Sequence, residues 1–416
     1  MPTAQKSKPA AKAAASVAAK PLKKGDHVFL VDGSGYIFRA YHALPPINRK
    51  SDGLQLNAVF GFCNMLWKLL RDMKPEERPT HLAVVFDKSE KTFRTQMYPD
   101  YKAHRPDPPD DLRPQFKYVR EAVQAFDLPC LEQDGFEADD LIATYVREAC
   151  EADATATIVS SDKDLMQLVT DGVIMFDTMK DKKIGRAEVI EKFGVPPEKV
   201  IEVQALIGDS TDNVPGVPGI GVKTAAQLIV EYGDLETLLF RAPEIKQEKR
   251  RQTLIEHAEA ARISKKLVTL DDHVKLDVPI GDLAVHEPDY KRLIAFLKAM
   301  EFNGLMRRVA EFASVDAGAI EAEAPFAGHT GAKADAFPSP TAGEDDVAPG
   351  ERAGAAPLVE SSPPRAARAR GAELSLPLTG GGMAPRPAPA GDRSGNFVST
   401  PQTLAAARTE AARSAK

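Results

Sequence analysis

Several short apolar runs in this chain lead into an aspartate. Asp32 follows residues 28–31 directly, Asp87 follows residues 82–86, and Asp162 comes just after residues 157–159. Glu137, Asp139 and Asp140 open a helical pattern, with Glu137 and Asp140 three apart on one face and Asp139 beside them. Asp164 lies two residues after Asp162, and Asp209 and Asp212 stand in a GDSTDN run after a further helical stretch. Any one of these acids could be a turn former or a helix N-cap. Brought together, they would repel and raise one another's pKa unless a cation compensated them. An all-oxygen set without clustered His or Cys suits a hard ion, Mg²⁺ or Mn²⁺, rather than zinc. Such a set can hold two ions roughly 4 Å apart, an arrangement that serves phosphodiester cleavage. A phosphatase built on a strand-end Asp would need a second Asp two positions on; Ser34 stands there, which excludes that reading.

Two further stretches have the chemistry to touch phosphate. In PGVPGIGVKTA (residues 215–225), Gly219 and Gly221 allow a tight hairpin between helices. The next helix would offer free N–H groups and a positive dipole end to an anion, with Lys223 and Thr224 in its first turn. This is the helix-hairpin-helix pattern, which grips a duplex backbone without reading bases. Residues 92–106 interleave bases with aromatics, including Arg94, Tyr98, Tyr101, Lys102 and Arg105, a mixture suited to single strands. On a helix Lys102 and Arg105, three apart, would share one face.

These residues need a scaffold that gathers them. The continuously apolar runs at 28–31, 82–86, 157–159 and 173–176, with a weaker one at 128–131, alternate with helical patterns at 57–73, 112–126, 138–150 and 165–170. That alternation predicts an α/β fold with a mainly parallel central sheet flanked by helices. In such sheets ligands collect beyond the carboxyl ends of the strands, where Asp32, Asp87 and Asp162 would meet. After about Lys183 the reading is helical, over 187–193, 199–208, 223–232, 249–266 and 290–300. Four segments follow: a basic, unfolded arm at 1–24, an α/β core holding the strand-end acids and the basic-aromatic stretch at 25–186, a helical subdomain at 187–313, and an Ala/Pro/Gly-rich tail at 314–416 that lacks a packable core. The 416 residues carry 43% hydrophobic and 27% charged side chains and a net charge of −6, so any nucleic-acid contact must rest on local patches or bound metal. Cys63, Cys130 and Cys150 have no zinc-like spacing and form no disulfide framework, and no apolar stretch is long enough to cross a bilayer.

The order LVDGSGYIFRAYHA, VVFD, YPDYKAHRP, FEADDLIAT, SSDKDLMQLV and GDSTDNVPGVPGIGVKTA closely resembles the N-terminal 5′-nuclease domain of bacterial DNA polymerase I, in the flap endonuclease family, over residues 28 to about 309. The resemblance implies a PIN-like core and a metal-dependent 5′→3′ exonuclease and flap endonuclease acting on flaps, nicks, duplex–single-strand junctions and RNA primers in the bacterial cytosol. It puts the family's acids on Asp32, Asp87, Glu137, Asp139, Asp140, Asp162, Asp164, Asp209 and Asp212, and its arch residues on Tyr101, Lys102 and Arg105. The ions it implies are two divalent metals, Mg²⁺ first and Mn²⁺ second, with a monovalent cation at the hairpin as a further candidate. The residues after Ser314 are too few for a polymerase domain, so polymerisation is expected to be absent, and the chain reads either as a fragment or as a separate nuclease. A PIN-type single-strand RNase and a catalytically dead DNA-binding module are the rival readings.

Overall fold

The computed structural model describes residues 20–322. Six strands form one sheet: β1 (His27–Asp32), β2 (His81–Val85), β3 (Cys130–Leu131), β4 (Thr155–Val159), β5 (Val173–Asp177) and β6 (Lys182–Ile184). Their spatial order is β3-β2-β1-β4-β5-β6, parallel throughout except for β6, which pairs antiparallel with β5. The chain builds outward from β1 to β3 and then returns to the other side of β1 for β4. That reversal opens a crevice at the carboxyl ends of β1 and β4, the usual place for a ligand in an open parallel sheet. The sheet bears out the mainly parallel α/β reading; β6, polar and three residues long, carries no apolar run by which sequence could announce it.

Both faces are covered, which is why the inner strands read as unbroken apolar runs. Val28 and Leu30 of β1 and Ala83 and Val85 of β2 point into one core, whereas Phe29, Val31, Leu82 and Val84 point into the other. The first core is closed by α5 (Ala138–Glu151), α6 (Arg186–Phe193), α7 (Val200–Ile207), α8 (Val222–Tyr232) and α9 (Leu235–Arg241). The second is closed by α1 (Gly33–Ala43), α2 (Asn57–Asp72) and α4 (Arg113–Ala125).

Three expectations need correction. The helix expected over 249–266 is two, α10 (Glu248–Glu256) and α11 (Ala258–Val268), broken at His257. The helical subdomain does not extend to 313. Its last two helices, α12 (Tyr290–Ala299) and α13 (Asn303–Ala313), pack through Leu293, Phe296, Leu297, Leu305 and Val309 into the core beneath α2 and α4. Their apolar stripes show that they pack, and only the fold shows against what. Order also continues past Ser314: Val315, Ala317 and Ile320 lie against the same core, and Lys298 Nζ donates to the Ala317 and Ile320 carbonyls. The rest of the expected tail and most of the basic arm fall outside the described residues.

Candidate active site: a carboxylate cleft at the carboxyl edge of the sheet

Asp32, the last residue of β1, caps α1. Its Oδ1 accepts from the Gly35 N–H at 2.8 Å, and its Oδ2 accepts from Ser160 Oγ at 2.8 Å, just beyond β4. Asp87, two residues past β2, accepts from the Ala138 N–H at 2.8 Å and so ties that strand end to the start of α5. Asp162 accepts from the Asp164 N–H at 2.9 Å, and Gln204 of α7 donates to Asp164. Asp32, Asp87 and Asp162 thus each hold a backbone N–H at a junction between a strand end and a helix or turn, and all three stand on one shared rim.

That rim bounds a cleft of about 200 Å³ lined by Asp32, Asp87, Glu137, Asp139, Asp162, Asp164 and Asp212 together with Tyr101, Lys102 and Arg105. Burial, reinforced by Asp162, Asp32, Asp87 and Asp164, holds the Asp139 carboxyl well above its ordinary value. Burial also raises Asp32 to about 6, with Asp162 and Asp87 adding to it against the Gly35 and Ser160 hydrogen bonds. Asp164 rises to about 6 through burial and its neighbour Asp162. The protein thus keeps several carboxyls in mutual repulsion, the condition that a hard cation relieves. Among the described residues no three side chains close on one ion position; the acids ring the cleft instead. An all-oxygen donor set in which Asp32, Asp139 and Asp164 have no protein cation as partner among the described residues fits divalent ions that draw in ligands from a ring. A larger open hollow of about 600 Å³, lined by Phe93, Met97, Lys265 and Lys266 among others, contains none of the strand-end acids.

Three of the predicted acids at the arch and hairpin side, Glu137, Asp209 and Asp212, already hold a cation supplied by the protein. Lys102 Nζ donates to Glu137 Oε1 at 2.7 Å and lies 4.0 Å from Asp212. Arg105 binds Asp212, and Lys163 binds Asp209. Burial works against the charge on Lys102, but Glu137, Tyr101 and Asp212 outweigh it and raise its pKa. Asp209 sits below its ordinary value because Lys163 and the Thr211 N–H outweigh its burial.

Arg94 and Asp140 are where sequence reasoning went astray. Arg94 is 1% exposed and Asp140 is fully buried, so neither lies open to a ligand. The guanidinium grips both carboxylate oxygens at 2.7 Å. Arg94 is therefore not a surface DNA contact, and Asp140 is not free to ligate an ion. Nor is the arch stretch one continuous helix. α3 spans only Phe93–Met97; turns follow, and Lys102 adopts φ 58°. Lys102 and Arg105 still converge, because the Lys102 N–H donates to the Asp212 carbonyl and the Asn213 side chain donates to the Asp100 carbonyl. Tyr98 and Tyr101 pack with Val214, Leu267 and Val268 rather than standing free, and the Tyr101 hydroxyl donates to Glu137 at 3.2 Å.

The helix-hairpin-helix forms as expected between α7 and α8. Val217 and Ile220 peg the loop into the core, while Gly219, at φ 75°, has no atom near the position a Cβ would take. Gly221 caps α8, leaving Lys223 exposed and Thr224 half-buried in its first turn. Sequence reading missed Ser160, Lys163, Gln204 and Asn213, which hold the acids and the arch in place. It also missed Phe38, which lines the cleft at 41% exposure. Only Ser160, placed like the acids just beyond a strand, carried a signal.

The family of the 5′-3′ exonuclease N-terminal resolvase-like domain matches residues 27–194, and that of the 5′-3′ exonuclease C-terminal SAM fold matches residues 195–291. The chain belongs to the 5′-3′ exonuclease family. It is 37% identical over 282 residues to the 5′-3′ exonuclease of Aquifex aeolicus, covering 68% of this chain and 94% of that protein. It is 61% identical over 303 residues to DNA polymerase I of Rhizobium leguminosarum, covering 72% of this chain but 30% of that protein. The match thus spans less than a third of the polymerase. In fold, the family member resembles a bacteriophage T5 flap endonuclease solved with DNA and metal ions: TM-score 0.50, 23% identity, covering 69% of this chain and 99% of that one. Among the described residues no helix is long and apolar enough to cross a membrane.

Proposed function

We propose that this chain is a structure-specific 5′→3′ exonuclease and 5′-flap endonuclease, acting on DNA flaps, nicks and junctions and on RNA primers paired to DNA in bacterial replication and repair. The observation that carries this reading is one cleft in which crowded carboxylates, three of them with raised pKa, share their space with Lys102 and Arg105. Asp32, Asp87, Glu137, Asp139, Asp162 and Asp164 would hold divalent ions, Mg²⁺ foremost with Mn²⁺ as its substitute, and Asp209 and Asp212 lie toward the arch and hairpin side. When bound, such ions supply a water of lowered pKa and neutralise charge on the phosphoryl and leaving oxygens.

The chain's own residues do the rest. Lys102 and Arg105 draw the scissile phosphate to the cleft and stabilise its developing charge. The Glu137 carboxylate, which also accepts from the Tyr101 hydroxyl, orients Lys102. The α8 N-terminus, with Gly221, Lys223 and Thr224, holds one strand of the downstream duplex by its backbone and sets the distance from junction to cut. A monovalent cation at the hairpin would support the same contact. The test is cleavage of a 5′-labelled flap with Mg²⁺, with Mn²⁺ and with EDTA, beside a linear single-stranded RNA. Cleavage of the flap only, and only with metal, is expected. Equal cleavage of the RNA would favour a single-strand RNase instead, and no cleavage of either would leave a DNA-binding module.

A further inference from the structure

Arg94 makes more contacts than an ion pair needs. Besides gripping both oxygens of Asp140, its Nε donates to the Leu267 carbonyl at 2.8 Å and its second terminal nitrogen donates to the Thr269 carbonyl at 3.1 Å. Asp140 is as fully engaged: its Oδ2 accepts from the Glu137 N–H at 3.0 Å and its Oδ1 from the Asp271 N–H at 2.9 Å. Three parts of the chain meet here: α3 at the base of the arch, the first turn of α5 that carries Glu137 and Asp139, and the segment leaving α11.

We propose that Arg94 and Asp140 are positioning residues, a buried clamp that sets the arch wall of the cleft against its carboxylate wall. The inference rests on the proposed nuclease reading for its catalytic consequence, and on the hydrogen bonds alone for its structural one. The carboxylate spends its oxygens on Arg94 and on two backbone donors, one at Glu137 and one at Asp271, so it fixes the backbone beside Asp139 without itself reaching an ion. The guanidinium fork donates to two carbonyls and to both carboxylate oxygens at once, which a lysine ammonium with its three donors cannot do. Its terminal nitrogen also lies 3.5 Å from Glu137 Oε2, the carboxylate that holds Lys102. Loosening the clamp would let the arch wall and the acid wall shift against each other, and a misplacement of about 1 Å can cost on the order of 100-fold in rate.

The test uses two variants of the full chain that leave no charge buried alone. Arg94→Lys keeps the charge and loses the fork; the double variant Arg94→Met/Asp140→Leu replaces the pair with apolar side chains of similar size, an exchange that buried ion pairs often tolerate. Single-turnover flap cleavage should fall at least about 10-fold in Arg94→Lys and about 100-fold in the double variant, while flap affinity in Ca²⁺ and the half-saturating Mg²⁺ concentration stay within about twofold of wild type. Hydrogen exchange at the Glu137 and Asp271 amides should quicken in both variants.

Wild-type rates in the double variant would overturn the proposal. So would a rise in half-saturating Mg²⁺ confined to the variant lacking Asp140, since that marks a metal ligand. A double variant that cannot fold would reduce the pair to a stabilising contact and also overturn it. If the wild-type chain does not cleave the flap, the nuclease reading fails by itself, and unchanged amide exchange would then refute the clamp independently.

Discussion

Lys102 Nζ lies 2.7 Å from Glu137 Oε1, so the arch cation reaches the carboxylate at the mouth of α5 before any substrate arrives. An unusual backbone makes this reach possible. Lys102 is left-handed at φ 58°, and its N–H is held by the Asp212 carbonyl at 2.9 Å. The turn delivers the ammonium to the cleft, where a helix would have spread Lys102 and Arg105 along one face.

Lys102→Ala is expected to lower the single-turnover cleavage rate by roughly 100-fold, the usual loss on removing one group that stabilises charge in a transition state. Duplex affinity measured in Ca²⁺ should change little, because the hairpin is intact. An affinity loss with unchanged chemistry would place Lys102 in substrate binding alone.

Asp139→Asn is expected to abolish cleavage and to stabilise the metal-free protein. Asp32 and Asp164 keep their protons to about pH 6 in the fold, against 3.8 when unfolded, and Asp139 is raised in the same direction. A raised carboxyl favours the fold fully below its unfolded value, and that contribution is lost as pH climbs through the folded one. In EDTA, therefore, the cluster costs stability progressively from about pH 4 upward, and Asp139→Asn should raise the unfolding midpoint at pH 7 more than at pH 4. Each kcal/mol relieved shifts the midpoint by roughly 2–4 °C. Calorimetry at the two pH values checks the sign; equal midpoints for wild type and variant at pH 7 would remove Asp139 from the cluster.

The sheet and its acidic rim were legible in the sequence because both follow local rules: apolar runs mark buried strands, and parallel strands deliver their ends to one edge. The hairpin was legible because the glycine-rich run marks a tight turn, which Gly219 makes at φ 75°, while Gly221 stands in extended backbone as the cap of α8. Arg94 was not. An arginine in a basic, aromatic run looks like a surface contact, and its partner Asp140 lies 46 residues on, a pairing no periodicity encodes. Asp140 was misread for the complementary reason, since one residue's offset on α5 separates a carboxylate in the cleft from one beneath it. The destination of α12 and α13 was hidden in the same way.

Two truncations should behave differently. Residues after 322 have a composition without a packable core, so ending the chain there should leave flap cleavage and the unfolding midpoint unchanged. Ending it after Ala313 removes Val315, Ala317 and Ile320 from the core and the carbonyl acceptors of Lys298. That cut should lower the midpoint measurably while activity at low temperature persists. Equal midpoints for the two truncations would mean that residues 314–322 add nothing to the fold.

Grip and chemistry should separate at the hairpin. Lys223 is exposed in the first turn of α8, where the free N–H groups and the helix dipole already favour a phosphate. Lys223→Ala should weaken binding to every duplex alike and lower the slope of log affinity against log salt by about 1, the signature of one lost phosphate contact. Gly219→Ala tests the loop that presents this turn. Its φ of 75° disfavours any side chain, yet a Cβ there meets nothing within 4 Å, so the cost should be conformational only, roughly 1 kcal/mol. Gly216→Ala differs: at φ 60° its Cβ would stand 2.5 Å from the Gly208 nitrogen, so the loop must open and the fold should weaken by more. The expected pattern is reduced affinity with a near-normal single-turnover rate at saturating DNA for Lys223→Ala and Gly219→Ala, and a lowered unfolding midpoint for Gly216→Ala. If Lys223→Ala left affinity and salt slope untouched, the duplex would have to be held elsewhere, and the hairpin would serve only to join α7 to α8.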